Sequence, residues 1–412
     1  MSLFLENAKQ IVTCHTHGRK FKAGKYQSEI GLIQNASILA ENGRIKWIGK
    51  KLPASLRKSI KNKINASGKV ILPGFIDSHT HLVFAGDRAN EYSMRIKGAT
   101  YEEIAKAGGG IVNTVKATRK ATVNELLNLA KKRIEASISF GVTTIEAKSG
   151  YGLDTKNELK MLEVIKELRK VIPIDIYSTL LAAHAFPIDI SRKEYIDKIL
   201  HEIIPLTAKR GLASFIDAFC EKNYYTPLET QLIFEQGRKF GLVPKLHTNQ
   251  FYSVGGIETA IKCKAISVDH LEVMASREIK ALSGKDIIAC VLPTVSYFLN
   301  IPYAPARALI QNKVPLTLAT DFNPGSSMTQ NIQLVMSMAV QLLKMNIEET
   351  INAVTINAAA ALGISDIAGS IETGKQADFL VFDTHDYKDI LYHFGINQLE
   401  TIIKKGKVIL KN

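Results

Sequence analysis

Residues 142–182 read VTTIEAKSGYGLDTKNELKMLEVIKELRKVIPIDIYSTLLA, and they contain one complete strand–helix–strand unit. VTTIEA (142–147) and IDIYSTLLA (174–182) are short runs rich in apolar and β-branched residues, as expected for buried strands. Between them, in KNELKMLEVIKELRKV (156–171), apolar residues recur at i, i+3 or i+4 and i+7, which is the period of an amphipathic helix. Two strands joined by a helix are typical of neighbouring parallel strands.

The same alternation extends on both sides of this unit. Eight strand-like runs separated by helical patterns, over about 250 residues, predict an α/β protein with a (β/α)8 TIM barrel. An open doubly wound sheet is the alternative, and it is weakened because no GxGxxG or GxxxxGK[ST] motif follows a strand. The eight runs are VILPGFI (70–76), VTTIEA (142–147), IDIYSTLLA (174–182), SFIDAF (214–219), VPKLH (243–247), AISVDH (265–270), IIACVL (287–292) and PLTLATD (315–321).

The two ends of the chain resemble each other and differ from the middle. Both contain short apolar runs broken by Gly, Asn and Asp, and Asn42-Gly43 is a strong hairpin signal. We therefore expect residues 1–68 and 368–412 to form one small β-sandwich domain, with the barrel, residues 69–367, inserted between them.

Composition excludes several classes of protein. The chain has 412 residues, 46% of them hydrophobic, and no uninterrupted apolar run long enough for a spanning helix. Residues 1–69 hold 14 Lys and Arg against three Asp and Glu, but the densest basic run lacks the aromatic residues of a nucleic-acid platform. We predict neither nucleic-acid nor membrane binding. The four scattered cysteines and the absence of a signal-peptide pattern indicate a cytoplasmic protein.

Polar residues collect at the ends of the predicted strands, where the open face of a barrel carries its chemistry. His79 and His81 are two residues apart in extended backbone, so both imidazoles project to one side. His247 and Asp321 could complete a set of three nitrogens and one oxygen, which suits zinc or iron. Such a metal ion would lower the pKa of water toward about 7.

Three residues are candidates for proton transfer or charge stabilisation. Asp321 could accept the proton of the attacking water. His184 could donate a hydrogen bond to a substrate carbonyl or to its oxyanion. Spacing leaves His270 open as a further ligand, a general acid or base, or a core histidine.

Several segments, taken together, resemble a known group of enzymes. PGFIDSHTHLVFAGDR (73–88) with His247, His270 and Asp321 resembles the amidohydrolase superfamily of metal-dependent barrels. The finer pattern is similar to the imidazolonepropionase family, on segments that span nearly the whole barrel. The resemblance implies hydrolytic opening of the ring of 4-imidazolone-5-propanoate to N-formimidoyl-L-glutamate, in histidine degradation. The matching segments are AGGGI (107–111), EAKSGYGLD (146–154), LLAAHAFP (180–187), KLHTNQF (245–251), SVDHLE (267–272) and ATDFNPGS (319–326).

The resemblance also implies roles for individual residues. One divalent or trivalent metal ion, zinc or iron, would be held by His79, His81, His247 and Asp321. His270 matches a position with an acid/base or orienting role. Contacts to a small anionic substrate would come from Arg88, Tyr151, His184, Gln250, Asn323, Gly325 and Ser326. Arg88 and Tyr151 would hold the propionate, since arginine binds carboxylates bidentately. A homodimer is the family expectation.

One departure bears on the number of metal ions. Two-metal members of the superfamily carry a bridging lysine at the end of strand four, where this chain reads Cys220-Glu221-Lys222, with Lys222 out of step. We predict a single metal ion, with Lys148 as the residual candidate for a bridge. The alternatives in function are a nucleobase-type deaminase of the same superfamily and a non-enzymatic metal-binding or nucleic-acid-binding protein. Arg88 with Tyr151 favours an acidic substrate over neutral bases.

Overall fold

The computed structural model describes residues 2–99, 103 and 109–411. Ala107 and Gly108 of the AGGGI segment lie outside these residues. Among the described residues, none of the helices has the length and apolar character needed to cross a bilayer. The strands within these residues are β1 Ser2–Val12, β2 Leu32–Glu41, β3 Arg44–Gly49, β4 Asn62–Asn65, β5 Val70–Pro73, β6 Phe75–Asp77, β7 Val142–Lys148, β8 Asp175–Ala183, β9 Phe215–Cys220, β10 Val243–Thr248, β11 Ser267–His270, β12 Ile288–Val291, β13 Leu316–Leu318, β14 Phe379–Phe382, β15 Leu399–Lys404 and β16 Lys407–Lys411.

Eight strands, β6 to β13, pair in chain order in one parallel sheet. The first and last strands meet just beyond their ends, where the Asp321 N–H donates to the His79 carbonyl at 3.0 Å and the His81 N–H donates to the Phe322 carbonyl at 3.0 Å. The predicted TIM barrel is confirmed. These contacts also bring the His79–His81 segment beside Asp321, because the barrel joins residues 240 positions apart in sequence.

The second sheet is built from both ends of the chain, with strand order β16-β15-β14-β5-β1-β2-β3 and β4 paired to β1. Successive side chains along its strands point to opposite faces of the sheet. Ile71 and Phe379 point into a separate core within this domain, whereas Leu72 and Leu380 join the large core shared with the barrel. The predicted TIM barrel with a β-sandwich domain from both termini is therefore confirmed as the fold class, while the exact domain boundaries stay a prediction.

The prediction of a single first barrel strand at 70–76 was wrong. The chain divides at Gly74: Val70–Pro73 pairs with β1 and β14 of the terminal sheet, and Phe75–Asp77 begins the barrel. A Cβ at Gly74 would lie 2.1 Å from Oγ1 of Thr143, so only glycine lets the chain pass so close to β7 at this change of sheet.

Helices cover the barrel, and several begin with sequence signals that are readable in advance. Thr122 and Thr226 each form a capping box with the glutamate three residues on, which satisfies the first free N–H groups. A 3-10 helix spans Gly24–Ser28 and a π-helical turn spans Ile199–Ile203. The α-helices of the described residues are Ala54–Arg57, Ala89–Ile96, Ile111–Lys120, Val123–Ser139, Thr155–Val171, Arg192–Lys198, Ile204–Lys209, Pro227–Lys239, Gly256–Lys262, Ser276–Leu282, Pro293–Leu299, Ala306–Gln311, Ile332–Leu342, Ile347–Ala353, Ile356–Ala361 and Asp389–Tyr392.

Candidate metal centre and substrate cavity

The four predicted metal ligands converge at the carboxyl end of the barrel. Nε2 of His81 lies 3.3 Å from Nε2 of His79 and 3.3 Å from Nε2 of His247. Oδ1 of Asp321 lies 3.2 Å from Nε2 of both His79 and His81. All four side chains are buried, and Oδ1 of Asp321 has no hydrogen-bond partner among the described residues. His79, His81 and Asp321 thus form one close group, and His247 joins it through its contact with His81.

Two buried carboxylates lie behind this cluster and orient two of its three imidazoles, those of His79 and His247. Oδ2 of Asp269 lies 2.7 Å from Nδ1 of His79, and Oδ2 of Asp217 lies 3.0 Å from Nδ1 of His247. A carboxylate can only accept here, so Nδ1 of each ring carries the proton and Nε2 keeps its lone pair toward the cluster. Burial alone would raise the pKa of Asp269, but Lys245 and His79 hold it below its ordinary value.

Lys148 joins the two orienting carboxylates. Its Nζ lies 2.9 Å from Oδ2 of Asp217 and 3.8 Å from Oδ2 of Asp269, and it donates to Glu146 at 3.0 Å. Burial disfavours the charged ammonium, but Asp217 and Glu146 outweigh it and raise the pKa of Lys148 above its usual range. An ammonium committed to these ion pairs does not act as a bridging ligand. Lys222, the other candidate for a bridge, lies exposed with Nζ 4.5 Å from the Tyr252 ring centre.

His184 stands beside the cluster, but its hydrogen bond changes its predicted role. The imidazole is stacked on His81 at 5.1 Å, and its Nδ1 lies 3.0 Å from the Gly150 carbonyl. A carbonyl accepts, so Nδ1 carries the proton. Burial, followed by the neighbouring His81, lowers the pKa of His184 to about 3, which leaves the ring neutral and Nε2 an acceptor. Oxyanion donation by His184, expected from the sequence, is therefore disfavoured.

His270 also lies beside the cluster, with its ring centre 5.3 Å from that of His247 and 5.9 Å from that of His79. Its Nδ1 is 3.5 Å from Oε1 of Glu272, and both side chains are buried. Burial alone would lower the pKa of His270, but the Glu272 carboxylate raises it above the ordinary value. The Glu272 carboxylate thus favours the protonated imidazole of His270, which suits a proton donor.

A cavity of about 360 Å³ adjoins the cluster through His184 and Tyr151, whose ring centres lie 5.1 and 6.1 Å from that of His81. All seven residues predicted to contact substrate line it: Arg88, Tyr151, His184, Gln250, Asn323, Gly325 and Ser326. These residues come from five separate loops, which follow β6, β7, β8, β10 and β13 and which the fold brings together around one cavity. Gln250 is held at its backbone, where its N–H and that of Phe251 donate to Oε2 of Glu221 at 3.1 and 3.0 Å.

The loop after Asp321 forms a compact wall of this cavity. The Asn323 side chain accepts from the N–H groups of Gly325 and Ser326 at 2.8 Å and donates to the Asp321 carbonyl at 2.7 Å. A Cβ at Gly325 would lie 2.3 Å from Nη1 of Arg88. Glycine at this position lets the Arg88 guanidinium lie directly against the loop.

Some residues of the site carried no clear signal in the sequence. Asp217 was visible only as an acid inside the apolar run SFIDAF, and Lys245 as a base inside VPKLH. Glu91 and Arg95 line the cavity from the helix Ala89–Ile96, which sequence reasoning left without a role. For Asp217 and Lys245, the available indication was an isolated charged residue within a buried strand, since such a charge needs a buried partner.

Comparison with known proteins identifies the family. The chain is 43% identical over 415 residues to the imidazolonepropionase of Clostridium tetani, covering 100% of this chain and 98% of that one. The chain belongs to the imidazolonepropionase family. It is also 41% identical to the imidazolonepropionase of Shouchella clausii, over 99% of this chain and 93% of that one. Residues 177–409 match the model of the amidohydrolase family, in agreement with the resemblance seen in the motifs.

Several solved structures share the fold of this imidazolonepropionase-family chain. The atrazine chlorohydrolase of Arthrobacter aurescens, crystallised with zinc, superposes with a TM-score of 0.77 at 16% identity, covering 100% of this chain and 95% of that one. An adenosine deaminase of Xanthomonas campestris superposes with a TM-score of 0.73 at 17% identity, covering 99% and 93%. At sequence identities this low, the superpositions show a shared fold and nothing about function.

Proposed function

We propose that this protein opens the ring of 4-imidazolone-5-propanoate by hydrolysis, giving N-formimidoyl-L-glutamate in histidine degradation. The observation that carries the proposal is the full-length identity of about 40% to imidazolonepropionases, together with a cavity lined by all seven residues predicted to bind that substrate. A deaminase of the same superfamily is disfavoured, since a cationic cavity suits a substrate with a carboxylate.

We infer that the cluster of His79, His81, His247 and Asp321 holds one metal ion, zinc or iron. His81 Nε2 lies 3.2–3.3 Å from Nε2 of His79, Nε2 of His247 and Oδ1 of Asp321, an arrangement that a cation stabilises. The carboxylates behind the histidines fit the usual support of metal-bound imidazoles. When bound, such an ion supplies Lewis acidity and brings the pKa of water toward about 7.

In the proposed mechanism, residues of this chain bind the substrate and move protons. Arg88 and Tyr151 hold the propionate, and Nε2 of His184 accepts a hydrogen bond from a ring N–H. Asp321 accepts the proton of the attacking water, whose oxygen adds to the ring carbonyl carbon. His270 donates a hydrogen bond to the oxyanion.

The amide C–N bond then breaks, and the electron pair stays on the ring nitrogen. That nitrogen takes up a proton, and we assign its delivery to His270, because the carboxylate of Glu272 favours the protonated imidazole. Gln250 has no ionisable group, so it can only orient the ring by hydrogen bonding.

Two further proposals concern the setting of the enzyme. The four cysteines are all free and buried, which suits the reducing cytoplasm. A homodimer is also proposed, and light scattering on purified protein at micromolar concentration distinguishes it from a monomer.

The decisive test is mass spectrometry of the product formed by metal-replete protein from freshly prepared 4-imidazolone-5-propanoate. The substrate is unstable, so a reaction without enzyme must run in parallel. We expect enzyme-accelerated gain of one water without ammonia release. Ammonia release would instead indicate a deaminase, and no acceleration with metal bound would refute the proposed substrate.

A further inference from the structure

Four residues of one helix face line the cavity. Arg88, Glu91, Tyr92 and Arg95 recur at spacings of three and four residues, so they project from the same side of the Ala89–Ile96 segment. Arg88 matched the family pattern, whereas nothing in the sequence assigned a role to Arg95. Both arginines therefore reach the same space.

The charge of Arg88 is already offset inside the cavity. Its Nε lies 2.6 Å from Oε2 of Glu91, and both side chains are largely buried. Among the described residues that line the cavity, Arg88 and Arg95 are the cations and Glu91 is the acid. The cavity therefore carries one uncompensated positive charge. Because Glu91 pairs with Arg88, this charge belongs to Arg95.

The guanidinium of Arg95 is held in place by aromatic rings. Its central carbon lies 4.7 Å from the centre of the Phe298 ring and 5.5 Å from that of Tyr92, and these two rings stack at 4.8 Å. Its Nη2 is buried and has no hydrogen-bond partner among the described residues. A buried donor without a partner costs free energy, which an incoming acceptor recovers.

We propose that Arg95 determines specificity by binding the carboxylate of the substrate tail through Nη2. This inference rests on the proposed function and deepens it, because it assigns the preference for an anionic substrate to a residue outside the predicted set. Arg88, restrained by Glu91 and the Gly325 loop, still holds the propionate with Tyr151, and Arg95 adds the charge that Glu91 does not offset. Burial and the neighbouring Arg88 both lower the pKa of Arg95, and the negative charge of a bound carboxylate would oppose both effects.

The test measures binding rather than turnover. The probes are 3-(imidazol-4-yl)propanoate and its carboxamide, which share the ring and differ in the charge of the tail. Isothermal calorimetry gives the ratio of their dissociation constants for wild-type protein and for the R95Q, R95K and K97Q variants. Lys97 is exposed just after the same helix, so K97Q removes one charge outside the cavity.

We expect wild-type protein and K97Q to prefer the carboxylate, R95Q to lose about tenfold of this preference, and R95K to retain part of it. Carboxamide binding should change little, which separates a charge contact from a structural defect. An unchanged ratio in R95Q, or equal loss for both probes, would refute the role of Arg95. Wild-type turnover of 4-imidazolone-5-propanoate is measured in parallel: its absence refutes the proposed function, and this inference falls with it.

Discussion

Nδ1 of His79 lies 2.7 Å from Oδ2 of Asp269, and both side chains are fully buried. The same relationship recurs between His247 and Asp217 at 3.0 Å, and Lys148 connects the two carboxylates. Two of the three candidate histidine ligands, His79 and His247, are thus oriented by buried carboxylates from other strands of the barrel. This arrangement leads to predictions about metal binding that do not depend on the identity of the substrate.

Replacing Asp269 by Asn should weaken zinc binding by about 10- to 100-fold, because the amide no longer enforces the tautomer of His79. Competition with a chromophoric chelator measures the dissociation constant. D197N, which removes an exposed carboxylate from the helix Arg192–Lys198, is the control and should bind zinc as wild-type protein does. Equal affinities for D269N and wild type would contradict the orienting role.

Replacing Lys148 by Met should destabilise the fold by about 3–5 kcal/mol, because Asp217 and Glu146 lose a buried counter-charge. Urea unfolding measures the loss. K222M is the matched control, at the lysine nearest in sequence to the superfamily's bridging position. Since Lys222 is exposed, we expect K222M to retain both stability and one metal ion per chain by elemental analysis. Loss of metal in K222M would overturn the single-ion site.

Gly325→Ala should raise KM about tenfold while changing kcat less, because the new Cβ would lie 2.3 Å from Nη1 of Arg88 and displace it. Steady-state kinetics on G325A, R88A and the double variant give a mutant cycle. If Gly325 acts through Arg88, the KM of the double variant should be no higher than that of R88A. Additive losses would show that the glycine serves another purpose.

His270→Ala should lower kcat by about 100-fold or more with little change in KM, as expected for loss of a proton donor, whereas R88A should mainly raise KM. Glu272 raises the pKa of His270 against the opposing effect of burial. A donor works while protonated, so kcat falls as pH rises through this pKa. E272Q should lower the pKa of His270, so the fall of kcat in this variant should begin at a lower pH than in wild-type protein. Superimposable profiles would exclude His270 as the donor.

An ion-pair cluster between the barrel and the terminal sheet should make stability depend on acid pH. Burial would raise the pKa of Asp175, but Lys404, Lys405 and Gln376 lower it to about 2. Since this pKa lies below that of the unfolded chain, the contribution is complete above about pH 4 and is lost as pH falls toward 2.

D175N should therefore cost about 1–2 kcal/mol of the free energy of unfolding at pH 7, allowing for the partial exposure of the side chain, and much less near pH 2.5. Urea titrations at the two pH values measure the difference. A cost that stays constant between them would mean that packing, rather than charge, determines the effect of Asp175.

The barrel and its candidate ligands could be predicted because their signals are local. Alternating strand and helix periods report burial along the chain, and the carboxyl ends of parallel strands must share one face. His79, His81, His247 and Asp321 follow from that rule together with the family resemblance. The prediction erred at 70–76, because periodicity does not reveal that a strand changes sheets at Gly74.

The amino-acid sequence by itself determined the architecture, the family and which side chains reach the open face of the barrel. Only the tertiary structure decided which groups pair there: Asp269 with His79, Lys148 with Asp217, and Glu91 with Arg88. It also decided that His184 accepts rather than donates, through the Gly150 carbonyl. Burial is encoded by the spacing of residues along one segment, whereas partners and tautomers depend on the register between segments far apart in the chain, which no local pattern records.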